Sequence, residues 1–199
     1  DSTRVYCWGD GSQGALGNDA SYGDDYGPLA AVATGSGSGS EITPQASSND
    51  LEIAFFRPAQ IAAGTNHYCA LSVQGLVKCW GYNNYGQLGQ ENNSQQGHQS
   101  NDMGDYLAFT DLDGVAIKLA AGAHHTCALM DTGEVKCWGL NYNSGRLGAG
   151  TSSQYVGRSS NQMGANLVAV NFGDDMRATD VSAGYVHTCA ILENGLSKC

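Results

Sequence analysis

The chain has 199 residues, among them 28 glycines, seven cysteines and three prolines, and a formal net charge of −10. With nine lysines and arginines against 19 acids, it is a poor match for nucleic acid, whose affinity for proteins rests mainly on cationic neutralisation of phosphates. No apolar run reaches the roughly 18 residues a spanning helix requires, and the glycine content suits short strands and tight turns.

In chain order, residues 1–17 form an N-terminal half-unit in which Cys7 precedes Trp8-Gly-Asp-Gly-Ser-Gln-Gly-Ala-Leu-Gly17. Residues 18–60 are an insertion. Its run Gly35-Ser-Gly-Ser-Gly-Ser40 has linker composition, and Leu51-Glu-Ile-Ala-Phe-Phe56 has edge-strand character that stops at Pro58. The insertion is expected to pack against a neighbouring unit.

From residue 61 the chain repeats itself. Ile61-Ala-Ala-Gly-Thr-Asn-His-Tyr-Cys-Ala-Leu71 recurs as Leu119-Ala-Ala-Gly-Ala-His-His-Thr-Cys-Ala-Leu129 and as Val181-Ser-Ala-Gly-Tyr-Val-His-Thr-Cys-Ala-Ile191. The N-terminal Trp-Gly element recurs as Trp80-Gly-Tyr-Asn-Asn-Tyr-Gly-Gln-Leu-Gly89 and Trp138-Gly-Leu-Asn-Tyr-Asn-Ser-Gly-Arg-Leu-Gly148. These units divide the remainder into repeat 1 (61–118), repeat 2 (119–180) and a truncated repeat 3 (181–199). The segments 90–118 and 149–180 are polar and are expected to be surface excursions.

Cys69 and Cys79, Cys127 and Cys137, and Cys189 and Cys199 are each ten positions apart, with Gly75, Gly133 or Gly195 just past the midpoint. A three-residue hairpin loop places glycine last, where the backbone turns left-handed. Counting back from Asp131-Thr132-Gly133, Met130 faces Glu134, Leu129 faces Val135, Ala128 faces Lys136 and Cys127 faces Cys137. If the loop-closing pair is hydrogen-bonded, the cysteines occupy a non-hydrogen-bonded pair with Cα atoms about 4.5 Å apart, within disulfide reach. The alternative is reduced, buried cysteines packing as small hydrophobes. Disulfides imply an oxidising compartment, so the chain reads as secreted or on the cell surface. Cys7 is left over, as a free thiol or an intermolecular partner.

The combination of Ala-Ala-Gly-x-x-His-Thr-Cys-Ala-Leu and Cys-Trp-Gly-x-Asn-x-x-Gly-Gln-Leu-Gly resembles the RCC1 (regulator of chromosome condensation) repeat, a blade of a β-propeller, in a cysteine-paired secreted or surface variety. The resemblance implies an all-β fold of about three blades plus an N-terminal half-repeat. RCC1 propellers generally close with seven blades, so an incomplete ring or an open array completed by neighbouring molecules is expected. The third hairpin lacks its own Trp-Gly continuation, while the N-terminus carries one without a hairpin. Either the chain is a processed form or piece of a longer protein, or one copy completes the last repeat of another.

His67, His125 and His187 hold the same place in each repeat, which argues against a single active site. Each is expected to donate a ring proton to a backbone carbonyl and lock adjacent loops. Trp8, Trp80 and Trp138 read as core anchors whose indole N–H finds a carbonyl. The cysteine and histidine spacings do not fit zinc. The acid pairs Asp24 with Asp25, Asp102 with Asp105, Asp111 with Asp113 and Asp174 with Asp175 read as a solvated rim rather than a calcium loop. No catalytic constellation, metal or cofactor site emerges, so a non-enzymatic protein is expected. Asn92-Asn93-Ser94 makes Asn92 a candidate N-glycosylation site.

The function this implies is an extracellular structural protein that self-associates into a filament or surface assembly. The alternative is a protein- or glycan-binding part of a larger surface propeller. A guanine-nucleotide exchange role fits the acidity and cysteine pairs less well.

Overall fold

Each cysteine pair closes a hairpin whose register is set by its glycine. In the computed structural model, which describes residues 56–99, 102–142, 145–173 and 176–199 with the backbone of two short strands before them, the amide of Met130 donates to the carbonyl of Glu134 and that of Gly133 to Met130. Gly133 takes φ +83°, as the loop requires. Cys127 then stands opposite Cys137, Ala128 opposite Lys136 and Leu129 opposite Val135.

The short strands β1 (Val5–Tyr6) and β2 (Ala31–Val32) pair antiparallel. Blade 1 is the antiparallel sheet β3 (Pro58–Ala63), β4 (His67–Ser72) and β5 (Val77–Gly81). Blade 2 repeats it with β6 (Ala116–Ala121), β7 (His125–Met130) and β8 (Val135–Leu140), and adds β9 (Tyr155–Val156). Blade 3 comprises β10 (Ala178–Ala183), β11 (Thr188–Leu192) and β12 (Ser197–Lys198). A bulge interrupts the first pairing of every blade at the same point, between 58 and 60, 116 and 118, and 178 and 180. The fold is all-β, and a 3-10 turn lies at Gly164–Asn166. The described sheets do not close into a ring.

The core lies between blades, because β7 is covered on both faces. Alternate residues of a strand point to opposite sides. Ala128 and Met130 therefore pack toward blade 1 with Leu71, Val77 and Leu88, while Cys127 and Leu129 pack toward blade 3 with Val181, Ala190 and Leu192. This two-sided burial makes His-Thr-Cys-Ala-Leu-Met a continuous buried run rather than an alternating one.

The two polar segments are more than surface excursions. They carry Met103, Leu107 and Leu112 in one repeat and Met163, Leu167 and Phe172 in the other, all buried. They also bridge onto the blades, Phe109 to Lys78, Gln96 to Gly81 and Ala169 to Lys136. Their apolar anchors are widely spaced among polar residues, which masks their part in the core. The Gly-Ser run, residues 51–55 of the expected edge strand, and the side chains of Cys7 and Trp8 lie outside the described residues.

Candidate functional site: the blade junctions

At the junction of blades 1 and 2, four polar groups from both sides converge. His67 lies fully buried at the start of β4, with Nε2 2.9 Å from Oγ1 of Thr126. The Thr126 hydroxyl donates to the carbonyl of Gln87, 3.0 Å away, and has a single proton to give. His67 Nε2 must then carry the hydrogen and donate to Thr126. The same Gln87 carbonyl accepts the indole N–H of Trp138 at 3.0 Å. A side chain of blade 1, two of blade 2 and a blade 1 carbonyl thus form one closed relay.

The junction of blades 2 and 3 repeats the arrangement 60 or so residues on. His125 Nε2 lies 3.0 Å from Thr188 Oγ1, and Thr188 donates to the carbonyl of Arg146 at 3.0 Å. His67 and His125 each reach a carbonyl through a threonine hydroxyl of the next blade instead of bonding it directly. The hydroxyl has both a lone pair and a proton, so it accepts from the imidazole and donates to the carbonyl. The glycine of each Ala-Ala-Gly leaves space for the ring: a Cβ on Gly122 would stand 2.1 Å from His125 Cε1 and 2.6 Å from the Gly184 carbonyl.

Two further links run along the inner strands. Thr65 N–H donates to Ala123 O and Ala123 N–H to Tyr185 O, at 3.3 and 3.0 Å. Gln60 uses its amide as a short strand, donating to Leu119 O at 2.8 Å and accepting from Leu119 N–H at 2.9 Å. At the equivalent position of the next junction, Lys118 pairs with Asp180.

Burial first, then the neighbouring His125 and His124, pushes the His67 pKa down to about 3. Burial, then Arg146, His187 and His124, pushes that of His125 down to about 4. Both imidazoles are neutral at physiological pH. Among the described residues no group of three histidine, cysteine, aspartate or glutamate side chains could hold a metal ion.

All three cysteine pairs are bonded, Cys69 to Cys79, Cys127 to Cys137 and Cys189 to Cys199, with Cα separations of 4.1, 4.1 and 4.0 Å. The first two lie inside the junction cores, so each staple fixes the hairpin that presents the relay.

The Regulator of chromosome condensation (RCC1) repeat model matches residues 59–87 and 116–144, the spans that hold the two full hairpins and their Trp-Gly elements. The chain is 28% identical over 139 residues to the ultraviolet-B receptor UVR8 of Arabidopsis thaliana, covering 68% of this chain and 27% of that one. In three dimensions it resembles human WBSCR16 (TM-score 0.67, 17% identity, 99% of this chain and 42% of that one). It also resembles yeast RCC1, Prp20 (TM-score 0.62, 20% identity, 98% and 39%). This is an RCC1-like repeat protein. It spans about a quarter of the length of UVR8 and under half of the two solved chains.

The RCC1-like blades are braced by residues the motif reading passed over. Asn83 and Asn141, at the fourth position of each Trp-Gly element, are buried and accept the amides of Leu88 and Leu147 while donating to the carbonyls of Asn92 and of Thr151 and Ser153. Lys78, Lys136 and Lys198, each one before the second cysteine, place their ammonium groups on the carbonyls of Gly104, Leu112 and Phe172. Recurrence of Asn and Lys at fixed places was the signal for both. Asn92 sits half-buried beside this brace, its amide donating to Gln90 O and its Oδ1 accepting from Ser94 N–H and Asn83. Asp102 accepts the amides of Gly97, His98 and Gln99, and Asp111 that of Asp113, so these acids organise their own loops. Trp80 is fully buried against Ala70, Met103 and Leu107. His187 is exposed on blade 3.

Proposed function

We propose that the protein is a secreted or cell-surface, non-enzymatic structural protein whose stapled blades associate head to tail into a filament or surface assembly. One observation carries the proposal. Blade 3 presents the face that blade 2 buries: Leu129 is 1% exposed where blade 3 covers it, whereas Ile191 at the equivalent position is 47% exposed. Leu196, Tyr185 and Val186 of the same blade are exposed as well. A face built to receive a blade suits a heterologous contact, and such contacts propagate when the rotation does not close. The three disulfides support an oxidising compartment.

Light scattering on a sizing column between about 1 and 100 μM, with negative-stain microscopy, tests this. The expected mass climbs in steps of 20.7 kDa and images show linear particles. Ile191→Asp should hold the protein to one chain. A single-chain mass at every concentration would overturn the proposal.

The second reading, a protein- or glycan-binding part of a larger propeller, is favoured by an open polar cleft between the long loops of blades 1 and 2. The net charge of −10 weighs against chromatin as the partner.

A further inference from the structure

The cleft between blades 1 and 2 has a volume of about 520 Å³ and is walled by the chain after Gly89, by residues 106–111 and by residues 161–166. Two aromatic rings stand open in it. Tyr106 is 72% exposed and Phe109 45%, the latter steadied by the Lys78 ammonium 4.7 Å from its centroid and by Phe56 at 6.2 Å. An exposed ring at the wall of a concave site is a costly use of apolar surface unless something stacks on it.

The polar groups beside the rings have fixed backbones and unused capacity. Glu91 accepts the amides of Gln162 and Met163 on Oε1, at 2.8 and 3.0 Å, and no described group bonds its Oε2. Asp111 Oδ1 takes the amide of Asp113, while Oδ2 fills the space a Cβ on Gly164 would need, 2.6 Å away. Gln96 is pinned by both backbone bonds to Gly81, and Asn166 ends the 3-10 turn, yet neither side-chain amide has a hydrogen bond among the described residues. The cleft therefore offers free carboxylate acceptors and two-way amides around flat apolar faces.

We propose that this cleft binds a neutral oligosaccharide, with a pyranose C–H face on Tyr106 and its hydroxyls bonded to Glu91, Asp111, Gln96 and Asn166. Sugar hydroxyls both donate and accept, which suits a carboxylate beside an amide. The two carboxylates and the net charge turn away sulfated or sialylated chains. A peptide would seek a free strand edge or an apolar pocket, and the edge here is already bridged by Gln96 to Gly81. The proposal gives the second reading a ligand class and rests on the cleft alone, so its failure leaves head-to-tail assembly untouched.

Saturation-transfer NMR and calorimetry on the full chain would use cellobiose, N,N′-diacetylchitobiose, mannobiose and lactose as probes, with a sulfated heparin disaccharide as the anionic comparison. At least one neutral disaccharide should bind. Tyr106→Ala should weaken it roughly tenfold and Asp111→Asn several-fold, with melting temperature unchanged because both side chains are exposed. No saturation transfer from any neutral probe at about 10 mM would overturn the proposal. So would binding indifferent to both substitutions, or tighter binding of the sulfated sugar. Should Tyr106→Ala fail to fold, Asp111→Asn decides alone.

Discussion

Thr126 is the residue on which blades 1 and 2 meet. Replacing it with valine keeps the shape but removes both the acceptor for His67 and one donor to Gln87. Gln87 retains the Trp138 indole, so the penalty falls on an orphaned imidazole N–H in a fully buried site. Thr126→Val should cost about 1–3 kcal/mol in urea unfolding, and Thr126→Ser should recover most of it. The same imidazoles give the protein an acid limit. Their native pKa values, about 3 for His67 and about 4 for His125, lie below the ordinary 6.5, so the unfolded chain takes up protons first as pH falls. The stability they confer is full above pH 6.5 and is lost as pH falls, down to about pH 4 for His125 and about pH 3 for His67. Relief of surface carboxylate repulsion acts in the opposite sense, but at 0.15 M salt it is screened within about 8 Å, and the buried rings are not. Calorimetry from pH 7.5 to 4.5 should show a falling melting temperature; a flat profile would contradict this account.

The hairpin is the element that carries most of the fold, and it was legible because its determinants are local: a glycine that must turn left-handed, and cysteines counted back from it. The relay partners were not legible, since Thr126 is 59 residues from His67 and no spacing within one repeat brings them together. The lysine before each second cysteine recurs visibly, but its burial does not show in the sequence. A charge flanked by buried residues reads as solvent-facing, yet Lys78 and Lys136 are buried on carbonyls. The three hairpins also differ in a way the identical spacings conceal. Cys69–Cys79 and Cys127–Cys137 are enclosed by neighbouring blades, whereas Cys189 is half-buried and Cys199 exposed. Exchange with an external thiol needs access to sulfur, and for a buried bond access waits on local opening. Graded dithiothreitol followed by alkylation and peptide mapping should label Cys189 and Cys199 first. Simultaneous labelling of all six would mean that the blades open as one unit.

At the scale of the whole molecule, charge and apolar surface pull against each other. Each chain has a net charge of −10, and the ion pair between Lys118 and Asp180 lies within one chain and is partly exposed, so it contributes little to joining copies. The proposed association through the Ile191 face must then gain from apolar burial what it would lose to repulsion between like-charged partners. Repulsion reaches about 30 Å at 0.01 M salt and about 8 Å at 0.15 M, whereas burial of Ile191, Leu196 and Val186 is nearly indifferent to salt over that range. Raising the salt should therefore strengthen assembly. Sedimentation velocity at a fixed concentration should show the single chain dominating near 0.01 M sodium chloride and longer species growing toward 0.15 M. The opposite trend, dissociation as salt rises, would mean that the copies are held by complementary charges and that the apolar face of blade 3 is not what joins them.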